Sequence, residues 1–246
     1  NYSRLTRRQM LSLSAGVGGA LLAGSQGALA QDNYPSRPIR LIVPFAPGGG
    51  TDVVARVVAQ EMASALGTSV IVDNKAGASG LIGTDAAAKS AADGYTLLLA
   101  DAAHATNAAV QPKLPFDPIK DFTPITLIGS SPQLLVAHPS FPANSLKELL
   151  ALPRGHGYGV GSPGQGSGPH LLCEMLKLKT GLDLVHVPYK GGALALNDAV
   201  GGQVPMVINS VPACMPHIEA KRLKVLAIAS TERHPKLPNV QTFSES

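Results

Sequence analysis

VPFAPGGGTDVVAR, residues 43–56, is the stretch that decides the fold. A short apolar run breaks at Pro47 and three glycines, and Thr51-Asp52 then opens a run spaced like a helix. Just upstream, IRLIVPF (39–45) is brief, apolar and rich in β-branched residues, so it reads as a buried strand. Downstream, Val53, Val54, Val57, Val58, Met62 and Leu66 recur at helical spacing, and Gly67 ends the helix. The unit is therefore strand, bare backbone, helix. A helix start offers unpaired N–H groups and partial positive charge, and glycine lets an anion approach that backbone closely.

The same alternation continues outward. SVIVDN (69–74) is a second strand, followed by the Gly-rich KAGASGLIG (75–83) and an Ala-rich helix to about Ala92. Asp93-Gly94 is a turn, and YTLLLA (95–100) is a third strand. Repetition of this kind implies parallel pairing with right-handed crossovers. A Pro-broken loop (113–125) precedes TLIGSSPQLLVAHPSF (126–141), read as two extended segments that carry the chain into a second domain. There, Ser145 with Glu148 forms a capping box, a short strand at 158–160 leads into GSPGQGSGPH (161–170), and a helix runs to about Lys179. The strand LVHVPY (184–189), a helix at 193–202, the strand VPMVINS (204–210), a short helix at 215–222 and the strand LKVLAIAS (223–230) follow, the last returning towards the first domain.

Composition agrees with a globular α/β chain of two modest domains: 246 residues, 45% apolar, 15% charged and 4% aromatic. The net charge of +4 owes most to Arg4, Arg7 and Arg8, which lie in an acid-free stretch of thirty residues. Without them the chain is close to neutral and carries no basic stripe, which argues against a nucleic-acid partner. Residues 1–30 pair that basic start with a Gly- and Ser-diluted apolar middle and end on Ala28-Leu29-Ala30, an export signal cleaved after Ala30. TRRQML (6–11) resembles a twin-arginine motif. The glycines and serines make 11–30 a poor membrane span, so the expected location is the periplasm. Cys173 and Cys214 read as buried thiols, with one bridge in an oxidising compartment as the alternative.

Two glycine loops share the anion-friendly design, one at 46–52 and one at 162–170. GGGTD lacks the Gly-Lys-Ser/Thr of a nucleotide loop. GVGSPG (159–164) matches a dinucleotide fingerprint, but its strand is short and Pro163 sits inside it. No nucleophile elbow surrounds Ser162 or Ser167, and the seven histidines form no metal motif. No cofactor, metal or catalytic residue is expected. Asp52 is either an ammonium partner or a first-turn acid favoured by the helix dipole. His170 suits a local hydrogen bond, and Lys190, after Tyr189, adds positive potential at a cleft mouth or is simply solvated.

In combination these motifs resemble the Bug family of extracytoplasmic solute receptors, the binding subunits of tripartite tricarboxylate transporters. The resemblance rests on 34–62, NKAGASGLIGTDAAAKSAADGYTLLLA (74–100), LPFDPIKDFTPITLIG (114–129), GSPGQGSGPHLL (161–172), VPYKGG (187–192) and 216–246, in that order. It implies a two-lobed periplasmic-binding-protein fold of Venus-flytrap type with two crossing hinge strands. The expected divisions are 1–30 signal, 31–128 first lobe, 129–227 second lobe and 228–246 return segment, with the first lobe incomplete at its C-terminus because family members continue past TFSES. One jaw would be Pro47, Gly48, Gly49, Gly50, Thr51 and Asp52. The other would be Ser162, Gly164, Gly166 and Ser167, joined by Tyr189 and Lys190. HATN (104–107) matches a further ligand loop that brings His104 and Asn107 near the site, and Asn209 holds another cleft position. Two departures stand out: Ala103 replaces a usual hydroxyl residue, and INSV replaces the usual DN. The expected function is capture of a small carboxylate by lobe closure, as a monomer, and its delivery to a membrane permease without chemistry. The rivals are a sensor signalling to a membrane kinase and an exported NAD-dependent or hydrolytic enzyme.

Overall fold

A computed structural model of the protein describes residues 34–245; the stretch 1–30, expected from the sequence to be an export signal, lies outside them. The chain divides into Asn1–Ser36 and the compact unit Arg37–Ser246, which carries every helix and strand discussed below. The first sheet holds β1 (Ile39–Val43), β2 (Val70–Asn74) and β3 (Thr96–Leu98) in the order β2-β1-β3. Both pairings are parallel, as strand–helix–strand repetition requires.

Helix α1 (Gly50–Leu66) starts at Gly49 in extended conformation and stops at Gly67 in the left-handed region, whose N–H donates to Ala63 O. Its buried positions are Asp52, Ala55 and Ala59. Of the valines at helical spacing, Val54 packs inward, while Val57 is 60% exposed. Alanines let the helix axis approach Leu41, Val43 and Leu99 closely, which turns the larger side chains outward. On the other crossover, a 3₁₀ turn (Ala78–Gly80) leads into α2 (Leu81–Ala88). A Cβ on Gly83 would lie 2.7 Å from Pro44 Cα, so only glycine lets α2 press on the end of β1. Helix α3 (Ala102–Val110) follows β3 directly. HATN is thus helix rather than loop, because Asp101 caps it by accepting from Ala103 N at 2.8 Å.

The second sheet has the order β6-β5-β7-β4-β8, built from β4 (Gln133–Ala137), β5 (Tyr158–Ser162), β6 (Leu184–Pro188), β7 (Met206–Ser210) and β8 (Lys224–Ala229). β6, β5 and β7 run parallel, whereas β4 is antiparallel to both β7 and β8. Of the two extended segments expected in 126–141, only β4 is a strand. Side chains alternate across it. Leu135 and Ala137 join Met206 and Ile208 under α4 (Leu146–Leu150) and α5 (Gly168–Thr180). Leu134 and Val136 join Val207 and Ile228 under α6 (Gly192–Val200) and α7 (Val211–Glu219). Each fully buried leucine or isoleucine contributes about 1.5–3 kcal/mol, so this two-faced core is the main stabiliser of the unit.

Ser145 caps α4 by accepting from Glu148 N at 3.2 Å, and Glu148 reaches back to Asn144 N at 2.7 Å. Cys173 and Cys214 are buried free thiols in the two opposite core layers. Burial raises their pKa values to about 11 and about 12. The return expected over 228–246 takes a different path in the described residues. β8 pairs with β4, Ile228 bridges Thr242, and Phe243, Leu237 and Val240 pack onto the second sheet's core. Those apolar anchors hold the segment on the second lobe. No helix of the described residues is long and apolar enough to cross a membrane.

Candidate functional site

The loop after β1 is tied to its own helix. Asp52, 2% exposed, accepts from Gly48 N at 2.9 Å, from Arg56 Nε at 2.9 Å and from Asn74 Nδ2 at 2.9 Å. Asn74 Nδ2 also donates to Phe45 O at 3.0 Å, pinning the strand end. Burial pushes the Asp52 pKa up, but the bonds from Arg56, Gly48 and Asn74 and the Arg56 charge outweigh it, and the net direction is down. Every acceptor direction is spent within the lobe. Asp52 therefore shapes the loop and has no capacity left for an ammonium group.

Shaped in this way, the loop meets the second lobe backbone to backbone. A Cβ on Gly48 would lie 3.5 Å from Ala193 Cβ, and one on Gly49 would lie 3.8 Å from the N atoms of both Gly192 and Ala193. A Cβ on Gly191 would come within 2.9 Å of Ala46 Cβ, and one on Gly50 within 1.9 Å of Ser210 Oγ. The starts of α1, α6 and α7 thus converge on one seam. Their first-turn N–H groups have no partner inside their helices. The Ser210 hydroxyl is buried there without a hydrogen-bond partner.

The second glycine loop is built as a self-bonded knot. Ser162 Oγ accepts from Gly164 N at 3.2 Å, and Ser167 Oγ donates to Gly164 O at 2.7 Å while capping α5 at His170 N. Gly164 and Gly166 have φ of 145° and 82°, a region closed to most side chains. Two histidines brace the knot from behind. His170 Nδ1 accepts from Gly166 N at 3.0 Å, and His186 Nε2 lies 2.6 Å from Ser162 Oγ. Their rings pack at a tilt of 31° with centroids 4.0 Å apart. Desolvation, then repulsion from His170, lowers the His186 pKa to about 4, so this ring stays neutral.

This loop faces α3 and the 3₁₀ turn. Thr106 Oγ1 donates to Gly166 O at 2.5 Å, and a Cβ on Gly164 would lie 2.8 Å from Ser79 Oγ. Asn107, 3% exposed, donates through Nδ2 to Ser79 O at 2.9 Å, while its Oδ1 points at Gly166 without a partner. Ala78 and Ser79 hold left-handed φ of 47° and 54°, a strain of about 1–2 kcal/mol per residue. At the head of α3, Asp101 offers Oδ2 to Thr51 Oγ1 at 3.4 Å, and Ala102 Cβ sits 3.9 Å from where a Cβ on Gly168 would be. Protein atoms crowd the Asp101 carboxylate and raise its pKa, against the Ala103 N–H, the Thr51 hydroxyl and the His104 charge, although one side keeps solvent access. Both glycine loops therefore lie on one cleft, each sealed by a different element across it.

Several candidate side chains are spent elsewhere. His104 Nε2 donates to Pro118 O at 2.8 Å and its ring meets Phe116 and Phe122, so it anchors the 116–122 loop. Asn209 donates to Gly192 O at 3.0 Å and accepts from Ser210 N at 2.9 Å, fastening α6 to β7. The Tyr189 hydroxyl donates to Asp198 at 2.8 Å, and its pKa rises to about 12 through burial and that carboxylate. Lys190 is exposed at the turn before α6 and has no ion pair among the described residues. Pro47 lies exposed at the edge of the first loop. The sequence reading missed Asp101, Ser79, Thr106 and Ser210. The signal for Asp101 was its position just past a parallel strand and before a helix, where α/β clefts gather their groups. Two shallow surface grooves, of about 380 and 450 Å³, contain none of the candidate residues.

Two α/β lobes that meet through glycine loops and helix N-termini define a two-lobed solute-binding protein. Residues 54–246 match the family described as tripartite tricarboxylate transporter family receptor, and the chain belongs to that family. It is 42% identical over 233 residues to protein BugT of Bordetella pertussis, covering 91% of this chain and 70% of that protein. Among solved structures it resembles the periplasmic binding protein BugD, with 37% identity, a TM-score of 0.83 and coverage of 86% and 72% of the two chains. Rpa4515 of R. palustris, solved with adipate, is similar at 37% identity and a TM-score of 0.82, with the same coverages.

Proposed function

We propose that this protein is an exported receptor that captures a small carboxylate between its lobes and hands it to the membrane permease of a tripartite tricarboxylate transporter. The observation that carries this reading is the convergence of the α1, α6 and α7 starts on bare glycine backbone at Gly48–Gly50 and Gly191–Gly192. Helix N-termini favour negative charge, and glycine clears room for a carboxylate to sit on them. Lys190, exposed beside that seam, adds positive potential. Gly164, Gly166, Ser162 and Ser167 form the opposing jaw, with Asn107 and Thr51 as polar partners. Asp52 and Asn209 serve this site by holding its loops.

The protein performs no chemistry on this reading. It acts in the periplasm as a monomer, and binding selects the closed arrangement of the lobes. The test is mass spectrometry of ligand retained by the purified protein, followed by a thermal-shift panel of small acids. A ligand at a hundred times its Kd should add about 2.7 kcal/mol of stability. Release of a chemically altered product, or no stabilisation by any carboxylate, overturns the proposal.

A further inference from the structure

We propose that Asp101 makes this cleft select a ligand carrying a cationic amine beside its carboxylate, an amino acid rather than a plain di- or tricarboxylic acid. The inference rests on the carboxylate reading above and adds the second pole of the ligand.

Asp101 stands at the head of α3, between Thr51 of the first loop and the Ala102–Gly168 contact with the second. Its Oδ1 is occupied by the capping bond from Ala103 N. Its Oδ2 has only the Thr51 hydroxyl, at 3.4 Å, well beyond the roughly 2.7–2.8 Å of a good O–H···O bond. No Lys or Arg pairs with it among the described residues. The nearest titratable group on its own helix, His104, gives its Nε2 proton to Pro118 O. Asp52, the other cleft acid, shows the contrast: Arg56, Asn74 and a backbone N–H satisfy it completely.

A second observation on the same helix points the same way. Asn107 Oδ1 is an acceptor without a donor in a side chain that is 3% exposed, and it points at Gly166. The amide orientation is set by Ser79 O, which requires the NH₂ group on its side. The two acceptors lie about 9 Å apart along the helix by its rise. This wall of the cleft asks for donors. A polycarboxylate supplies none and would place a second negative charge beside Asp101. An ammonium group supplies three donors and a charge-assisted bond, enough for about tenfold to a hundredfold in affinity.

The experiment is isothermal titration of the full chain with matched pairs: L-aspartate against succinate, L-glutamate against glutarate, and L-alanine against propionate, with malate as a hydroxyl control. The amino member should bind about tenfold or more tightly within the responding pair. Asp101→Asn, which keeps an N-cap residue, should erase that preference and improve binding of the plain acid. A wild-type protein that binds the plain acid or malate as tightly as the amino acid overturns the proposal. So does an Asp101→Asn protein, folded by circular dichroism, that retains the preference. If no member of any pair binds while another plain acid of the thermal-shift panel does, this inference is overturned and the carboxylate reading stands; if no carboxylate binds at all, both fall.

Discussion

Gly49→Val puts the carboxylate reading at risk with the least disturbance of the fold. Gly49 has φ −79° and ψ 170°, extended backbone that valine adopts readily. Its Cβ would lie 3.7 Å from Ala46 O and 3.8 Å from the N atoms of Gly192 and Ala193, which is ordinary contact. The added methyls project beyond that point, over the two first-turn N–H groups of α6. A carboxylate bridging those amides would lose about two charge-assisted hydrogen bonds, each worth about 1.5–3 kcal/mol. The sum is about 3–6 kcal/mol, or two to four orders of magnitude in Kd. Loss of a good N-cap residue costs the fold only about 1 kcal/mol. The assay is isothermal titration with the retained ligand, alongside thermal unfolding without ligand. An unchanged Kd in a folded Gly49→Val protein would falsify the placement of the carboxylate on α6.

Two further outcomes test other parts of the site. Gly50→Ala sets a Cβ 1.9 Å from Ser210 Oγ, so it should hold the lobes apart and keep the radius of gyration in small-angle scattering from falling when ligand is added. Ser210→Ala in that background should partly restore closure, since the serine Cβ lies 3.1 Å away. His186, with its pKa lowered to about 4, should stay neutral in an NMR titration at pH 5. The unfolded chain takes up that proton first, so the stability linked to His186 is complete above about pH 6.5 and is lost as pH falls towards 4. His186→Gln should flatten that slope in thermal unfolding; an unaltered slope would mean the ring is not shielded.

The order of strands and helices was legible in the sequence because periodicity is a local property. Alternating apolar runs, Gly67 as a stop and Ser145 as a cap all act within a few residues, and the structure places elements where they point. The glycine loops were legible for the same reason, since each interrupts a strand-to-helix junction. Even so, helical spacing does not say which residues are buried: Val57 is 60% exposed, whereas Ala55 and Ala59 are buried. Spacing identifies a face, but the distance between packed elements decides which of its residues are buried.

The sequence by itself determined the alternating α/β chain, the two backbone-rich loops and the family to which they belong. Only the tertiary structure decided what each polar side chain spends its hydrogen bonds on. Asp52 is consumed by Arg56 and Asn74, His104 by Pro118, and Asn209 by Gly192, partners 4 to 22 residues away in the chain. Asp101 has no Lys or Arg partner among the described residues. Likewise, β4 runs antiparallel, and residues 230–245 fold back on the second sheet, because Leu237, Val240 and Phe243 find their apolar partners there. Apart from the Asp52–Arg56 pair, which lies within one helical turn, these bonds and buried contacts join positions too far apart for a short window along the chain to contain.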